Sequence, residues 1–106
     1  MTWDGRGTVE WQTATLLNSW TGSVRYRLVC DRVEVQSAAV MSGASGTAIF
    51  TLPEGMRPGI ALNLPAIGWN NTTTMGAGLI AVATDGTVTG FRFHTNLTCS
   101  FDFRIG

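Results

Sequence analysis

Residues 97–105 alternate without a break between apolar and polar side chains. Successive side chains of a β-strand point to opposite faces, so the alternation predicts a long strand with one face against a core and the other in solvent. The residues predicted to face the core are Leu97, Cys99, Phe101, Phe103 and Ile105. This segment therefore requires a fold in which a β-sheet buries one face and exposes the other.

Shorter segments of the same kind fill most of the chain. Residues 23–30 place Val24, Tyr26, Leu28 and Cys30 on one face, and Asp31-Arg32 is predicted to turn the chain into a strand over residues 33–41. Residues 13–20 are compatible with a turn of helix that begins at Thr13. Further strands are predicted over residues 47–52, 60–64, 77–84 and 87–93, with loops over residues 42–46 and 68–74. About eight short strands predict an all-β antiparallel β-sandwich, most simply a jelly roll.

Two features refine this prediction. Asp85-Gly86 separates two apolar runs and predicts a hairpin with a type I′ turn, which needs positive φ at both central residues. Residues 77–84 are apolar on both faces, and such a strand is covered on both sides. We expect a second subunit to provide the second cover, with Leu79 and Ala81 in the interface.

The composition excludes several functions. The chain has seven Lys+Arg, all of them Arg, and seven acidic residues, so its net charge is zero, and only 13% of its residues are charged. A neutral chain without Lys is a poor nucleic-acid binder and has no Schiff-base chemistry. No apolar run reaches about 18 residues, and no secretion signal follows Met1. So few charges protect weakly against association, which indicates that neighbouring chains cover part of the surface.

Groups for catalysis are scarce. His94 is the only general base with a pKa near neutrality, and no G-x-S-x-G motif positions a serine. Asp31 and Asp85 are interpreted as turn formers, and Asp102 is predicted on the outer face of its strand. Two Cys and one His are too few for a zinc site. The sequence predicts no catalytic residue, no metal and no cofactor. Cys30 and Cys99 form either a disulfide or two separately buried thiols.

Groups for binding are more plentiful. Tryptophan offers a large flat surface that suits sugars and protein interfaces. One of the four Trp stands in a polar segment, which makes a candidate ligand site of Trp69, Asn70, Asn71 and Thr72. The alternative is that Trp69 closes one end of the sandwich. Trp3 and Trp11 are predicted at an interface, either between subunits or with a neighbouring protein.

Three motifs resemble those of a known family. Residues 50–58 read FTLPEGMRP, which resembles the F-x-L-P-x-G-[YM]-R-P signature of small β-sandwich modules in tail fibres and minor tail proteins of tailed bacteriophages. Residues 16–20, LLNSW, and residues 81–88, AVATDGTV, resemble two other segments of those modules, in the same order and at matching spacing. The motif residues are Phe50, Leu52, Pro53, Gly55, Arg57, Pro58, Asp85 and Gly86. Arg57 is expected to pair with Glu54.

The resemblance implies a jelly-roll head, similar to C1q and TNF heads, that is usually trimeric and displayed on a virion. Several such modules bind host-surface saccharide. We expect a virion adhesin assembled in the host cytoplasm, with residues 1–15 as an N-terminal arm that docks on other virion proteins and residues 16–106 as the head. Since no shaft precedes the head, the alternative is a trimer that decorates the capsid. A cellular sugar-binding module is a weaker alternative, and a hydrolase ranks last.

Overall fold

The computed structural model describes residues 9–70, 74–91 and 96–105. Within these residues the chain forms nine β-strands, all pairings are antiparallel, and there is no helix. The predicted all-β antiparallel class is therefore confirmed. The strands are β1 (Val9–Thr13), β2 (Thr21–Val29), β3 (Arg32–Ser42), β4 (Ala48–Thr51), β5 (Leu62–Asn70), β6 (Thr74–Val82), β7 (Thr87–Phe91), β8 (Asn96–Thr98) and β9 (Ser100–Arg104).

The strands form two sheets that share β3. Sheet A has the order β1-β2-β3-β9, and sheet B has the order β4-β7-β6-β5-β8. The end of β3 reaches sheet B, where Met41 pairs with Leu97 of β8. Because β5, β6 and β7 form a meander and β8 returns beside β5, sheet B contains a Greek key. This is the antiparallel sandwich predicted as a jelly roll.

The core lies between the two sheets and is apolar throughout. Alternate residues of each strand point into it, as the period of two requires. No polar or charged residue among those described is buried. Side chains that are fully buried come from both sheets: Val24, Val33, Val35, Met41, Ile49, Phe50, Leu52, Ile80, Val82, Val88 and Leu97.

The predicted strand over residues 97–105 is divided into β8 and β9 at Cys99. Its alternation is correct, since Leu97, Cys99 and Phe103 are buried. Ser37 holds the break: its backbone N–H donates to the Cys99 carbonyl at 2.9 Å, and its Oγ accepts from the Cys99 N–H at 3.1 Å. The two halves thus pair with β3 in different sheets while one apolar face stays turned to the core.

The helical turn predicted for residues 13–20 is wrong. Leu17 to Trp20 form a β-turn closed by the Trp20 N–H on the Leu17 carbonyl at 3.0 Å. Both central residues have positive φ, 53° at Asn18 and 64° at Ser19, which makes the turn type I′. It is anchored on β4, because the Leu17 N–H donates to the Ile49 carbonyl at 2.7 Å. Contacts between sheets decide this segment rather than local propensity.

The turn between β2 and β3 lies one residue earlier than predicted. Val29 pairs with Arg32, so Cys30 and Asp31 form the turn. Cys30 adopts a φ of 60° and is exposed, so the prediction that it faces the core is wrong. Both cysteines are free thiols, with Cys99 buried.

The hairpin between β6 and β7 stands where Asp85-Gly86 predicts it, but its turn is different. Gly86 donates to the Ala83 carbonyl and has a φ of 90°, whereas Asp85 is not among the residues with positive φ. The loop is therefore a type I turn followed by a left-handed glycine, not a type I′ turn. The Thr87 backbone N–H, 3.0 Å from Asp85 Oδ1, holds the pKa of Asp85 below its ordinary value.

Candidate functional site

The signature motif and the Asp85-Gly86 hairpin, separate in sequence, contact each other. The Leu52 N–H donates to the Gly86 carbonyl at 2.8 Å. A Cβ on Gly86 would lie 2.5 Å from the Leu52 carbonyl oxygen, so only glycine fits against this strand end. Within the motif, Met56 N–H donates to the Pro53 carbonyl, and Gly55 adopts a φ of 89° at the third position of the turn. These motif residues build a rigid corner of the sandwich.

Arg57 belongs to the same corner. Its Nε donates to the Leu52 carbonyl at 3.0 Å, and its side chain lies over Gly86. In the described part of the chain the structure gives it no ion pair with Glu54, so that prediction is wrong. The reason is geometric: the Arg57 side chain is directed to the carbonyl of Leu52, the residue that follows β4. Its role is structural.

Two of the four residues of the predicted ligand site lie outside the residues that the structure describes. Gly68, Trp69 and Asn70 belong to β5 rather than to a loop, and Trp69 pairs with Met75 of β6 and with Asn96 of β8. Thr74 already begins β6, so the predicted loop over residues 68–74 is wrong at both ends. Asn71 and Thr72 lie outside the described residues, as do Trp3 and His94. Of the four predicted site residues, the backbone places Trp69 and Asn70 at the end of β5.

The outer face of sheet B carries Leu79 and Ala81. Across β5, β6 and β7, Leu79 stands between Pro65 and Phe91, and Ala81 stands between Asn63 and Thr89. Ile80 and Val82 point the other way and are buried, whereas Leu79 and Ala81 are only half-buried. Strands β4 to β8 contain no charged residue. The described residues of the chain do not form a layer over this uncharged outer face of sheet B.

The outer face of sheet A has the opposite character. Its register sets two polar rows across β2, β3 and β9. The rows are Arg25–Gln36–Ser100 and Arg27–Glu34–Asp102. Trp11 of β1 adjoins both rows, with its ring centroid 4.3 Å from the Arg25 Cζ and 4.6 Å from the Arg27 Cζ. The prediction of Trp11 as an interface residue stays open, since here it meets cations of its own chain.

A small cavity opens between these rows. We call it the sheet A groove; its volume is about 230 Å³, and its polar lining comes from Arg27, Glu34, Gln36, Ser100 and Asp102. Arg27 forms an ion pair with Glu34, and Arg32 Nη1 lies 2.6 Å from Asp102 Oδ2. The hydrogen bond that Arg32 donates to the Asp102 carboxylate, together with the negative charge of that carboxylate, raises the pKa of Arg32. Sequence reasoning missed the groove because its residues become neighbours only through the strand register.

Three acidic residues interpreted as structural occupy the positions predicted for them. Asp31 and Asp85 lie in turns and Asp102 is exposed on β9, as expected. Across the described ranges, no three His, Cys, Asp or Glu side chains come together in a way that could hold a metal ion. The same part of the chain contains no apolar helix of membrane-spanning length.

Comparison with known structures identifies the fold. A search of solved structures matches the head domain of the lactococcal phage bIL170, whose report concerns the receptor-binding domains of lactococcal phages. The TM-score is 0.70 and the identity 12%, and the match covers 92% of this chain and 99% of that domain. This is the fold of a phage head domain. The similarity confirms, at the level of fold, the resemblance indicated by the motifs. No family model and no curated protein matches the sequence.

Proposed function

We propose that this chain is a head module of a bacteriophage virion that attaches the particle to a glycan on the host surface. The observation that carries the proposal is the fold shared with the bIL170 head domain over nearly the whole of both chains. The three sequence motifs, which resemble those of phage tail modules, agree with the fold. The module acts by binding rather than by catalysis, in keeping with the scarcity of catalytic groups.

The module works as a homo-oligomer, most simply a trimer, through the outer face of sheet B. This face is uncharged, and its central side chains, Leu79 and Ala81, are half-buried and small enough for close approach. The charged residues of the sandwich strands lie on the other sheet, so a second copy would bury few charges. Uncharged surfaces of this kind are typical of interfaces between identical subunits.

The end of the β5–β6 hairpin is the proposed glycan contact. Trp69, Asn70, Asn71 and Thr72 combine an aromatic surface with amide and hydroxyl groups, which both donate and accept hydrogen bonds. The N-terminal residues, including Trp3, dock the module on other virion proteins.

Two measurements test the proposal. Labelled protein is located in intact virions by electron microscopy; a signal at the tail tip supports adhesion, and a signal over the capsid contradicts it in favour of a decoration protein. Purified protein is then applied to an array of bacterial glycans. We expect Trp69→Ala to abolish binding without changing the oligomer, with Gln12→Ala on exposed β1 as the control. An array on which the wild type binds no glycan would contradict the proposed function.

A further inference from the structure

The charged side chains of the sandwich are concentrated on one outer face. Arg25, Arg27, Glu34 and Asp102 stand in adjacent positions of sheet A, whereas strands β4 to β8 carry none. Exposed ion pairs contribute only about 0–1 kcal/mol to stability, so stability does not account for this concentration. The arrangement instead creates a polar surface whose geometry is fixed by the sheet.

The sheet A groove is preorganised. Arg25 donates from Nη2 and Nε to Gln36 Oε1 at 2.9 and 3.3 Å, and the Arg25 guanidinium also contacts the Trp11 ring. Arg27 is held between Trp11 and Glu34. Side chains that are already ordered lose little conformational freedom when a ligand binds. The donors and acceptors of the groove therefore already have partners within the sheet before a ligand binds.

The charges of the groove are balanced. Glu34 and Asp102 stand directly opposite each other on β3 and β9, an arrangement that is destabilising for like charges. Arg27 and Arg32 compensate, each by pairing with one carboxylate. The two carboxylates are therefore neutralised by two guanidinium groups, and Arg25, which bonds the neutral Gln36, adds one positive charge beside the groove. Because both carboxylates line the groove, an anionic ligand would meet like charge there.

The hydrogen-bonding capacity of these groups is not exhausted. An ionised carboxylate has about four acceptor positions and a guanidinium has five N–H donors, and each ion pair uses only part of them. Ser100 adds an exposed hydroxyl at the edge of the groove. Hydroxyl groups match such a lining because each can donate to a carboxylate and accept from an arginine or serine.

We propose that the sheet A groove is a second saccharide subsite, which binds one ring of an uncharged sugar. Neighbouring strands lie about 4.8 Å apart, and the two polar rows are separated by two residues, or about 6.6 Å, a grid that one ring can bridge. Its hydroxyls donate to Glu34 and Asp102 and accept from Arg27 and Ser100. The inference rests on the proposed function, and it places a second contact apart from the β5–β6 hairpin.

The test fills the groove. Ser100 is exposed at its edge, so Ser100→Trp places a bulky ring there without disturbing the core. Gln12→Trp adds the same ring on exposed β1 and is the matched control. On the glycan array we expect the wild type and Gln12→Trp to bind a glycan of uncharged sugars equally, and Ser100→Trp to bind it at least tenfold more weakly. Equal binding by Ser100→Trp, or binding to anionic glycans alone, would overturn the subsite and leave the proposed function standing.

A second measurement locates the sugar-binding residues on the protein. The ¹⁵N-labelled protein is titrated with the glycan that binds best on the array and followed by two-dimensional NMR. We expect shifts of the Trp11 indole N–H and of the Gln36 and Ser100 amides. In a folded Ser100→Trp protein the shifts of the Trp11 and Gln36 signals are lost. Shifts confined to the β5–β6 hairpin would refute the second subsite.

Discussion

Tyr26 of β2 stacks on Phe50 of β4, with ring centroids 6.0 Å apart and ring planes inclined by only 4°. The pair joins sheet A to sheet B, with Phe50 in the core and the half-buried Tyr26 packed against it. Phe50 is 1% exposed, and it is the first residue of the signature motif. The motif thus begins inside the core and ends at the corner formed with the β6–β7 hairpin, which explains why a sequence signature can mark this fold without marking a ligand.

Phe50→Ala is predicted to be among the most destabilising single changes. Removing a fully buried aromatic ring loses its transfer free energy and leaves a cavity, at a cost of about 3–5 kcal/mol. The measurement is the free energy of unfolding in urea. Thr51→Ala, at the exposed neighbouring position, serves as the control and should change stability by less than about 0.5 kcal/mol. Similar losses in both variants would mean that Phe50 does not join the sheets.

Gly86→Ala and Gly55→Ala separate backbone strain from steric conflict. Both glycines have a φ near 90°, but a Cβ on Gly55 would meet nothing within 4 Å, whereas one on Gly86 would collide with the Leu52 carbonyl. Gly55→Ala should cost about 1–2 kcal/mol from conformation alone. Gly86→Ala should cost about 1–3 kcal/mol more, as overpacking does. Equal costs in thermal unfolding would contradict the close contact between motif and hairpin.

Ser19→Gly is predicted to stabilise the protein. Ser19 has a left-handed backbone in a type I′ turn, and Asn-Gly is the preferred pair at its centre. Relief of the strain should exceed the entropy that glycine adds to the unfolded chain, for a gain of about 0.5 kcal/mol. Ser19→Val should do the reverse, because β-branched residues tolerate positive φ poorly. Unfolding midpoints of the two variants should fall on opposite sides of the wild type.

Stability is predicted to fall at alkaline pH because of Cys99. Burial raises the pKa of the Cys99 thiol to about 12, while the unfolded thiol titrates near 8.5. The unfolded state therefore loses its proton first, and the free energy of unfolding stays constant below about pH 8.5 and decreases from there towards pH 12. In urea titrations between about pH 8 and pH 10.5, Cys99→Ala should show a shallower decrease than Cys30→Ser, which keeps the buried thiol.

Leu79→Arg is predicted to dissociate the proposed homo-oligomer. A cation on the uncharged outer face of sheet B would be buried without a partner in the assembly, a cost of several kcal/mol. Light scattering at micromolar concentration should show a monomer that keeps the β-sheet circular dichroism of the wild type. Gln12→Arg adds the same charge on the exposed β1 and should leave the mass unchanged. A wild type that is itself monomeric would contradict the proposed interface.

The sequence determines the strands better than their connections. The alternation over residues 97–105 correctly identifies core and surface, because the period of two depends on local geometry alone. It does not reveal the break at Cys99, which depends on hydrogen bonds to Ser37, sixty-two residues away. Likewise Gly68 to Asn70 favour a loop by composition, yet they extend β5 because β6 and β8 supply partners on both sides.

The candidate sites follow the same division. Trp69 could be selected from its polar neighbours, and Leu79 and Ala81 from an apolar run. The sheet A groove could not, because Arg27, Glu34 and Asp102 form one row only through the register of β2, β3 and β9. The alternation within each strand indicates which of its residues form the polar outer face. Which residues of neighbouring strands stand side by side depends on strand pairings that a single sequence does not specify.

The pairing of β3 with β9 has a consequence for synthesis on the ribosome. Seventy residues separate Arg32 from its partner Asp102, and at typical elongation rates that interval lasts roughly 4–14 s. Until β9 emerges, one edge of β3 is unpaired and the apolar side of the β2–β3 hairpin has no complete cover. During this interval the nascent chain exposes an unpaired strand edge and apolar surface, the features that make folding intermediates prone to aggregate.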